Sequence, residues 1–257
     1  MGEALLSRLL AQRLYEPTQV IVSEPQSQRR LYLTQQYGIH VTDDNQAVMA
    51  APTVLLAIKP QVFDAMVDRL HKNASERNSD QVVLSILAGV PLHRLEAAFP
   101  EQPVIRSMPN TPATVGAGVT AISAGQHTQP EHLQLAQQIF AAVGTVVEVP
   151  ETLLDAVTGL SGSGPGYIAV IIEALIDGGV AVGLPRAIAT QLAVQTVRGT
   201  AELIHAKNLH PAQLKDQVTS PGGTTIAGIA ALEQAGIRSA LIEAVKSACA
   251  RSKELGQ

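Results

Sequence analysis

The sequence predicts an α/β fold in two parts, a parallel-sheet domain over residues 1–150 and an all-helical domain over residues 151–257. Short β-branched runs alternate with stretches of helical periodicity up to Pro150, the pattern of a parallel sheet covered by helices. After Pro150 no such run recurs, and every patterned segment has a helical period. A chain of 257 residues, 46% hydrophobic and 16% charged, can bury two cores and is too apolar to be disordered.

Taken in order, Leu5, Leu6, Leu9, Leu10 and Leu14 form a helical stripe ending near Tyr15. Val20-Ile21-Val22 is a short strand with Ser23-Glu24-Pro25 at its C-terminal end. A helix over Gln28–Tyr37 is closed by Gly38, followed by a strand at Gly38–Val41 and a short helix at Asn45–Ala50. Val54–Ile58 reads as a buried strand stopped by Lys59-Pro60. The alternation continues with a helix at Val62–His71, a strand at Val82–Leu87 and the loop Ala88–Pro91. Val104-Ile105 is a strand leading into Arg106–Pro112, a loop stiffened by two prolines. Val119–Ser123 and Thr145–Val149 are the last strands and flank a helix at Pro130–Val143. In such a sheet, ligands sit beyond the C-terminal strand ends.

A dinucleotide-binding sheet of this Rossmann-like kind opens with a strand and a G-x-G-x-x-G loop, and Gly2 stands where the last of those glycines belongs. On this reading the first strand and two earlier glycines lie upstream of Met1, so the native chain is expected to start earlier. Glu24 follows Gly2 by 22 residues, the spacing at which an acidic side chain binds the adenosine ribose hydroxyls and favours NADH. Arg29 and Arg30 lie one turn further on and can compensate a 2′-phosphate, which leaves the preference open.

In the second half a helix from about Thr152 to Leu160 is interrupted by Ser161-Gly162-Ser163-Gly164-Pro165-Gly166. No Lys-Ser/Thr follows, as a phosphate loop requires, so this run reads as a kink that lets backbones approach closely. The helix from Tyr167 to about Val182 is apolar on nearly every face, which calls for burial on all sides. Two small domains cannot supply that, and subunit association is expected. Glu173 and Asp177, spaced i,i+4, read as a solvated or interface strip, and Gly178-Gly179 suits a tight helix crossing. Further helices run from Leu184-Pro185-Arg186 to His205, from His210-Pro211 to Gln217, from Thr225 to Gln234 and from Arg238 to Leu255.

The stretch Gln217–Glu233 carries the clearest chemistry. Pro221 stops the preceding helix, Gly222 and Gly223 make a turn free of Cβ atoms, and Thr224 or Thr225 can cap the apolar run that follows. The first N–H groups of that helix lack intrahelical partners and carry the positive end of its dipole, a socket for a carboxylate or phosphate.

This stretch resembles the signature of the pyrroline-5-carboxylate reductases, as do Arg106-Ser107-Met108-Pro109-Asn110-Thr111-Pro112 and Leu160-Ser161-Gly162-Ser163-Gly164-Pro165. The resemblance spans the chain from Met1. It implies reduction of 1-pyrroline-5-carboxylate to L-proline by hydride transfer from a nicotinamide cofactor, the last step of proline biosynthesis, with NADPH the usual donor and NADH often accepted. It implies that Glu151, Gln217, Ser220, Gly222, Gly223, Thr224 and Thr225 bind substrate, with Thr225 the catalytic residue at the ring nitrogen. Met1, Gly2, Ser23, Glu24, Asn45, Ala57, Ile58, Lys59, Pro60, Ala88 and Asn110 match positions that bind the cofactor. Gln217 stands where relatives often have Asn, a conservative departure. The resemblance also implies a homodimer intertwined through the helical domain, and association beyond it.

Composition narrows the partners. A net charge of −4 with no basic block argues against nucleic acid, leaving a small-molecule substrate. One cysteine, Cys249, cannot form an internal disulfide, and the seven scattered histidines offer no metal-ligand spacing. His205 and His210 have no evident catalytic partner and read as structural. No signal peptide and no uninterrupted apolar run of about 18 residues is read from the sequence, so a soluble cytoplasmic protein is expected. Two alternatives stay open. A related two-domain NAD(P)-dependent dehydrogenase would use a lysine on the long interdomain helix, and none occurs between Pro165 and Gly183. A non-catalytic oligomeric scaffold would bind no cofactor.

Overall fold

Helix α1 (Gly2–Ala11) comes first, and its adjacent Leu5 and Leu6 belong to different cores. Leu5 packs with Leu84, Ile105 and Ile122, whereas Leu6 packs with Leu33 and Ile39. The computed structural model describes residues 1–72 and 80–256; Gln257, the end of the expected helical domain, lies outside them. After α1 come β1 (Ile21–Ser23), α2 (Ser27–Tyr37), β2 (His40–Thr42), α3 (Asn45–Val48), β3 (Thr53–Leu56), α4 (Phe63–Lys72) and β4 (Val82–Ser85). Then follow α5 (Leu92–Ala98), β5 (Val104–Pro109), β6 (Gly118–Ala124), α6 (Pro130–Ala141) and β7 (Gly144–Glu148). Helix α5, a seven-residue element, is one that the sequence pattern did not single out.

The described strands form two sheets. β1 and β2 pair in parallel, and β3-β4-β5-β6-β7 form a five-stranded sheet in that order. All pairings in the larger sheet are parallel except β5 with β6. Only eight residues, Asn110 to Ala117, connect those two strands, too few for the dozen or so a parallel crossover needs. The expected all-parallel sheet is corrected at that one pairing. Strand β5 also runs further than its apolar start suggests: Arg106 to Pro109, expected as loop, pair with β6 from Ser123 to Thr120.

Strand β4 shows how the sheet holds its helices. Val82 and Leu84 face the core that contains Ile139 and Phe140 of α6, while Val83 faces the core that contains Phe63, Leu95 and Phe99. This is the period of two expected of a strand buried on both faces. Burying each aromatic or leucine side chain contributes about 2 kcal/mol.

Beyond β7 come a 3₁₀ turn (Glu151–Leu153), α7 (Leu154–Val157) and a π-helical turn (Thr158–Gly162). Then come α8 (Gly164–Ala181), α9 (Arg186–Lys207), α10 (Pro211–Gln217), α11 (Thr224–Gln234) and α12 (Ile237–Leu255). The chain divides into two compact units: Met1–Gly162 together with the end of α12 from Ala248, and Ser163–Ser247. The expected kink at Ser161–Gly166 takes the form of the π turn, and α8 starts at Gly164 rather than Tyr167. A Cβ at Gly162 would lie 3.0 Å from Met108 Cε, so this glycine permits close packing, whereas Gly164 and Gly166 face open space.

The second unit has little core of its own. No residue of α8, α11 or α12 is buried, and α9 buries only Ala189 and Ala193. Val170 is 65% exposed and Val182 83%. Its helices meet through a close crossing, where a Cβ at Gly179 would lie 3.0 Å from that of Ala189, and through Tyr167, whose hydroxyl donates to the Ala244 carbonyl at 3.3 Å. Gly178 faces open space. The helical run Glu151–Ala181 is long and apolar enough, by length and composition, to cross a membrane. The sequence expectation concerns a run free of polar interruption, and this span is interrupted by Glu173 and Asp177 and by the π turn before Gly164.

Candidate functional site

The cofactor positions named from sequence gather at the C-terminal ends of β1, β3 and β4 and at the start of α1. Met1 is the N-cap of α1 and no side chain caps that end, so its first N–H groups are open to an anion. A Cβ at Gly2 would lie 2.9 Å from the Ala57 Cβ, so only glycine lets α1 come this near the end of β3. Ile58 and Pro60 flank the exposed Lys59, which is the N-cap of a 3₁₀ turn (Pro60–Val62). Ser23, at the end of β1, donates from Oγ to Asn45 Oδ1 at 2.6 Å. Ala88 is exposed two residues after the Ile86 amide bonds the Leu56 carbonyl. This end therefore fits a dinucleotide: an open helix start, a glycine at the close approach, and strand-end loops around it.

Asn110 follows β5 at the same end of the sheet. Its amide is used at both ends, Oδ1 accepting from Val119 N–H at 2.9 Å and Nδ2 donating to the Ser161 carbonyl at 3.1 Å. The M-P-N-T-P segment is thereby tied to the π turn.

A charged cluster lies between α1 and α2. Glu3 in the first turn of α1 accepts from Arg29, from Tyr37 Oη at 2.8 Å and from Tyr32 Oη at 3.1 Å. Burial pushes the Glu3 carboxyl up, but the bonds from Tyr37, Arg29 and Tyr32 outweigh it and hold the group below the usual carboxylate range. Burial and the Glu3 carboxylate push Tyr37 up to about 12. Arg29 also lies over the Tyr32 ring, 4.7 Å from its centre. The sequence reading weighed Arg29 but missed Glu3, Tyr32 and Tyr37, which have no shared spacing to betray them.

Of the substrate positions, Gln217 ends α10 and the loop after it leads through Ser220 and Gly222 to Gly223. The N-cap of α11 is Gly223, with Thr224 and Thr225 the first two helical residues and no side-chain capping bond. The expectation that a threonine caps this helix is corrected: both hydroxyls are left for other partners. Gly222 has φ +67, which favours glycine, and a Cβ at Gly223 would lie 2.8 Å from Ser220 Oγ and 3.2 Å from the Ser220 carbonyl, a close fit. Glu151 belongs to the first unit, where Oε1 accepts from Leu92 N–H at 2.6 Å and from Arg106 Nη1 at 2.8 Å. His210 is structural, its Nδ1 accepting from Ala212 N–H at 3.2 Å to cap α10. Among the described residues no group of His, Cys, Asp and Glu could hold a metal ion.

A mostly parallel sheet with an open helix start at its strand ends, followed by a helical domain, is the architecture of nicotinamide-dependent oxidoreductases. Residues 1–89 match the family described as NADP oxidoreductase coenzyme F420-dependent, and residues 151–255 match that described as pyrroline-5-carboxylate reductase dimerisation. A curated pyrroline-5-carboxylate reductase of Synechocystis sp. is 57% identical over 258 residues, covering 100% of this chain and 95% of that protein. The chain belongs to the pyrroline-5-carboxylate reductase family. Among solved structures, a pyrroline-5-carboxylate reductase from Coxiella burnetii is 34% identical with a TM-score of 0.92, covering 100% of this chain and 95% of its own. The Plasmodium falciparum pyrroline carboxylate reductase with NADP bound is 27% identical with a TM-score of 0.87, at the same coverage.

Proposed function

We propose that the protein reduces 1-pyrroline-5-carboxylate to L-proline with NADPH as donor, in the cytoplasm. The observation that carries the reading is the start of α11, a helix N-terminus of 11 residues' length whose cap is glycine and which no side chain closes. Residues 1–150 serve as the dinucleotide-binding domain and 151–257 as the domain for substrate and association. The first N–H groups of α11 hold the substrate carboxylate, since they carry the positive end of the helix dipole. Ser220, Gly222 and Gly223 shape that turn beside Gln217 and Thr224, and Glu151 is assigned to the substrate on the family resemblance alone. The Thr225 hydroxyl accepts from the protonated ring nitrogen and fixes the ring's orientation. NADPH, when bound, supplies the hydride, and the reacting carbon must then be held about 3–3.5 Å from its source. An iminium already carries its proton from water, so the chain need not provide an acid.

Met1 and Gly2 hold the dinucleotide diphosphate at the start of α1. Ser23, Glu24 and Asn45 meet the adenosine side, Ala57–Pro60 and Ala88 line the middle, and Asn110 stands at the nicotinamide end. The exposed apolar faces of α8 and α9 are covered by a second copy, giving a homodimer that associates further. Following NADPH oxidation on addition of 1-pyrroline-5-carboxylate, with proline identified by amino-acid analysis, tests the reading. Cofactor oxidation without proline, or no oxidation with cofactor bound, would overturn it.

A further inference from the structure

Glu3 and Arg29 link the diphosphate and adenosine parts of the proposed cofactor site. Glu3 stands in the first turn of α1, one residue beyond Gly2, and Arg29 in the first turn of α2, which follows directly from the Ser23-Glu24 strand end. Neighbouring Arg30 is committed to that loop: its Nη1 donates to the Glu24 carbonyl at 3.0 Å and the Pro25 carbonyl at 2.8 Å, and its guanidinium pairs with Asp43 at 3.1 Å. The Glu24 carboxylate closes its own turn, accepting from Gln26 N–H at 2.9 Å. Both arginines near the adenosine side are thus charge-compensated, Arg29 by Glu3 and Arg30 by Asp43.

We infer that Glu3 is a specificity-determining residue: by neutralising Arg29 it limits how strongly the protein favours NADPH over NADH. The inference rests on the proposed function and assigns a role within its cofactor site. The two dinucleotides differ by one phosphate on the adenosine ribose. An unshared guanidinium would bind that phosphate through charge-assisted hydrogen bonds. Glu3 already takes Arg29's charge and is itself held as an anion by the Tyr32 and Tyr37 hydroxyls, so Arg29 offers a 2′-phosphate much less than a free arginine does. A cofactor lacking that phosphate meets no such competition.

The test is direct binding of NADPH and NADH, followed calorimetrically, to the unaltered chain and to Glu3→Gln, Arg29→Ala and the double variant. Glu3→Gln keeps an acceptor for the tyrosines and removes the charge. It is expected to tighten NADPH by on the order of tenfold while leaving NADH within about twofold. Arg29→Ala, which removes the partner of Glu3, is expected to change NADPH binding little by itself and to abolish the gain in the double variant. Glu3→Gln moving both cofactors equally, or a double variant that keeps the gain, would overturn the inference and leave the proposed function standing. Should Glu3→Gln fail to fold, Glu3→Ala takes its place, and an NADPH-to-NADH ratio equal to that of the unaltered chain overturns the inference. Failure of the unaltered chain to bind either cofactor would overturn the proposed function and this inference with it.

Discussion

Asn110 donates from its amide nitrogen to the carbonyl of Ser161, 3.1 Å away and 51 residues on in the chain. The same amide accepts from Val119 N–H, so one buried side chain ties the end of β5 to both the start of β6 and the π turn. Asn110→Ala leaves an N–H and a carbonyl without their partner and is expected to cost about 2 kcal/mol in urea unfolding. Asn110→Asp should cost a similar amount, because a carboxylate cannot donate to the Ser161 carbonyl. A loss below about 0.5 kcal/mol in both would show the bridge to be incidental.

Thr225 is the second residue of α11, in the turn proposed to hold the substrate carboxylate. Thr225→Ala should lower kcat by on the order of 10²-fold, the loss of one oriented contact at the reacting centre, with the Kd for NADPH unchanged. Thr225→Ser should recover most of the rate. Equal kcat in Thr225→Ala and the unaltered enzyme would remove the hydroxyl from the mechanism.

The alkaline limb of stability should report on Tyr37. Its folded-state pKa is raised from 10.0 to about 12, so the phenol's contribution is complete below pH 10 and is lost as pH rises from 10 to 12. The cause is burial first, then the hydrogen bond to Glu3. On the order of 1 kcal/mol should disappear over that window after allowance for solvent screening. Tyr37→Phe should flatten the limb; an unchanged slope would place the titration elsewhere.

Val170, on α8, is 65% exposed in the single chain. Val170→Asp puts a charge on the face proposed to be covered by a second copy, and light scattering should show a shift towards monomer at micromolar concentration. An assembly of unchanged mass would locate the interface on another face.

Local pattern carried the fold well. The strands at Ile21–Ser23, Thr53–Leu56 and Val82–Ser85 lie within two residues of their apolar runs, and α2 ends at Gly38 with φ +66 as a glycine stop requires. Strand β5 was legible only in its first two residues, because the polar Arg106 and Ser107 hide it; what keeps the segment extended is its partner β6. At the candidate site, Gly222 and Gly223 were legible as a turn free of Cβ atoms and Gly2 as the last glycine of a dinucleotide loop. Glu151 was named for the substrate by resemblance, while its bonds to Leu92 and Arg106 had no counterpart in spacing.

The sequence by itself determined the order and kind of most elements, the change from sheet to helices near Pro150, and the turn that opens α11. These depend on periods of 2 and 3.6 and on residues whose backbone preferences are local. Only the tertiary structure decided that β6 runs antiparallel to β5, that Asn110 holds Ser161, and that Glu3 takes the charge of Arg29. A polar side chain has no period, and its partner is fixed only when packed cores on either side of the sheet set which distant residues meet.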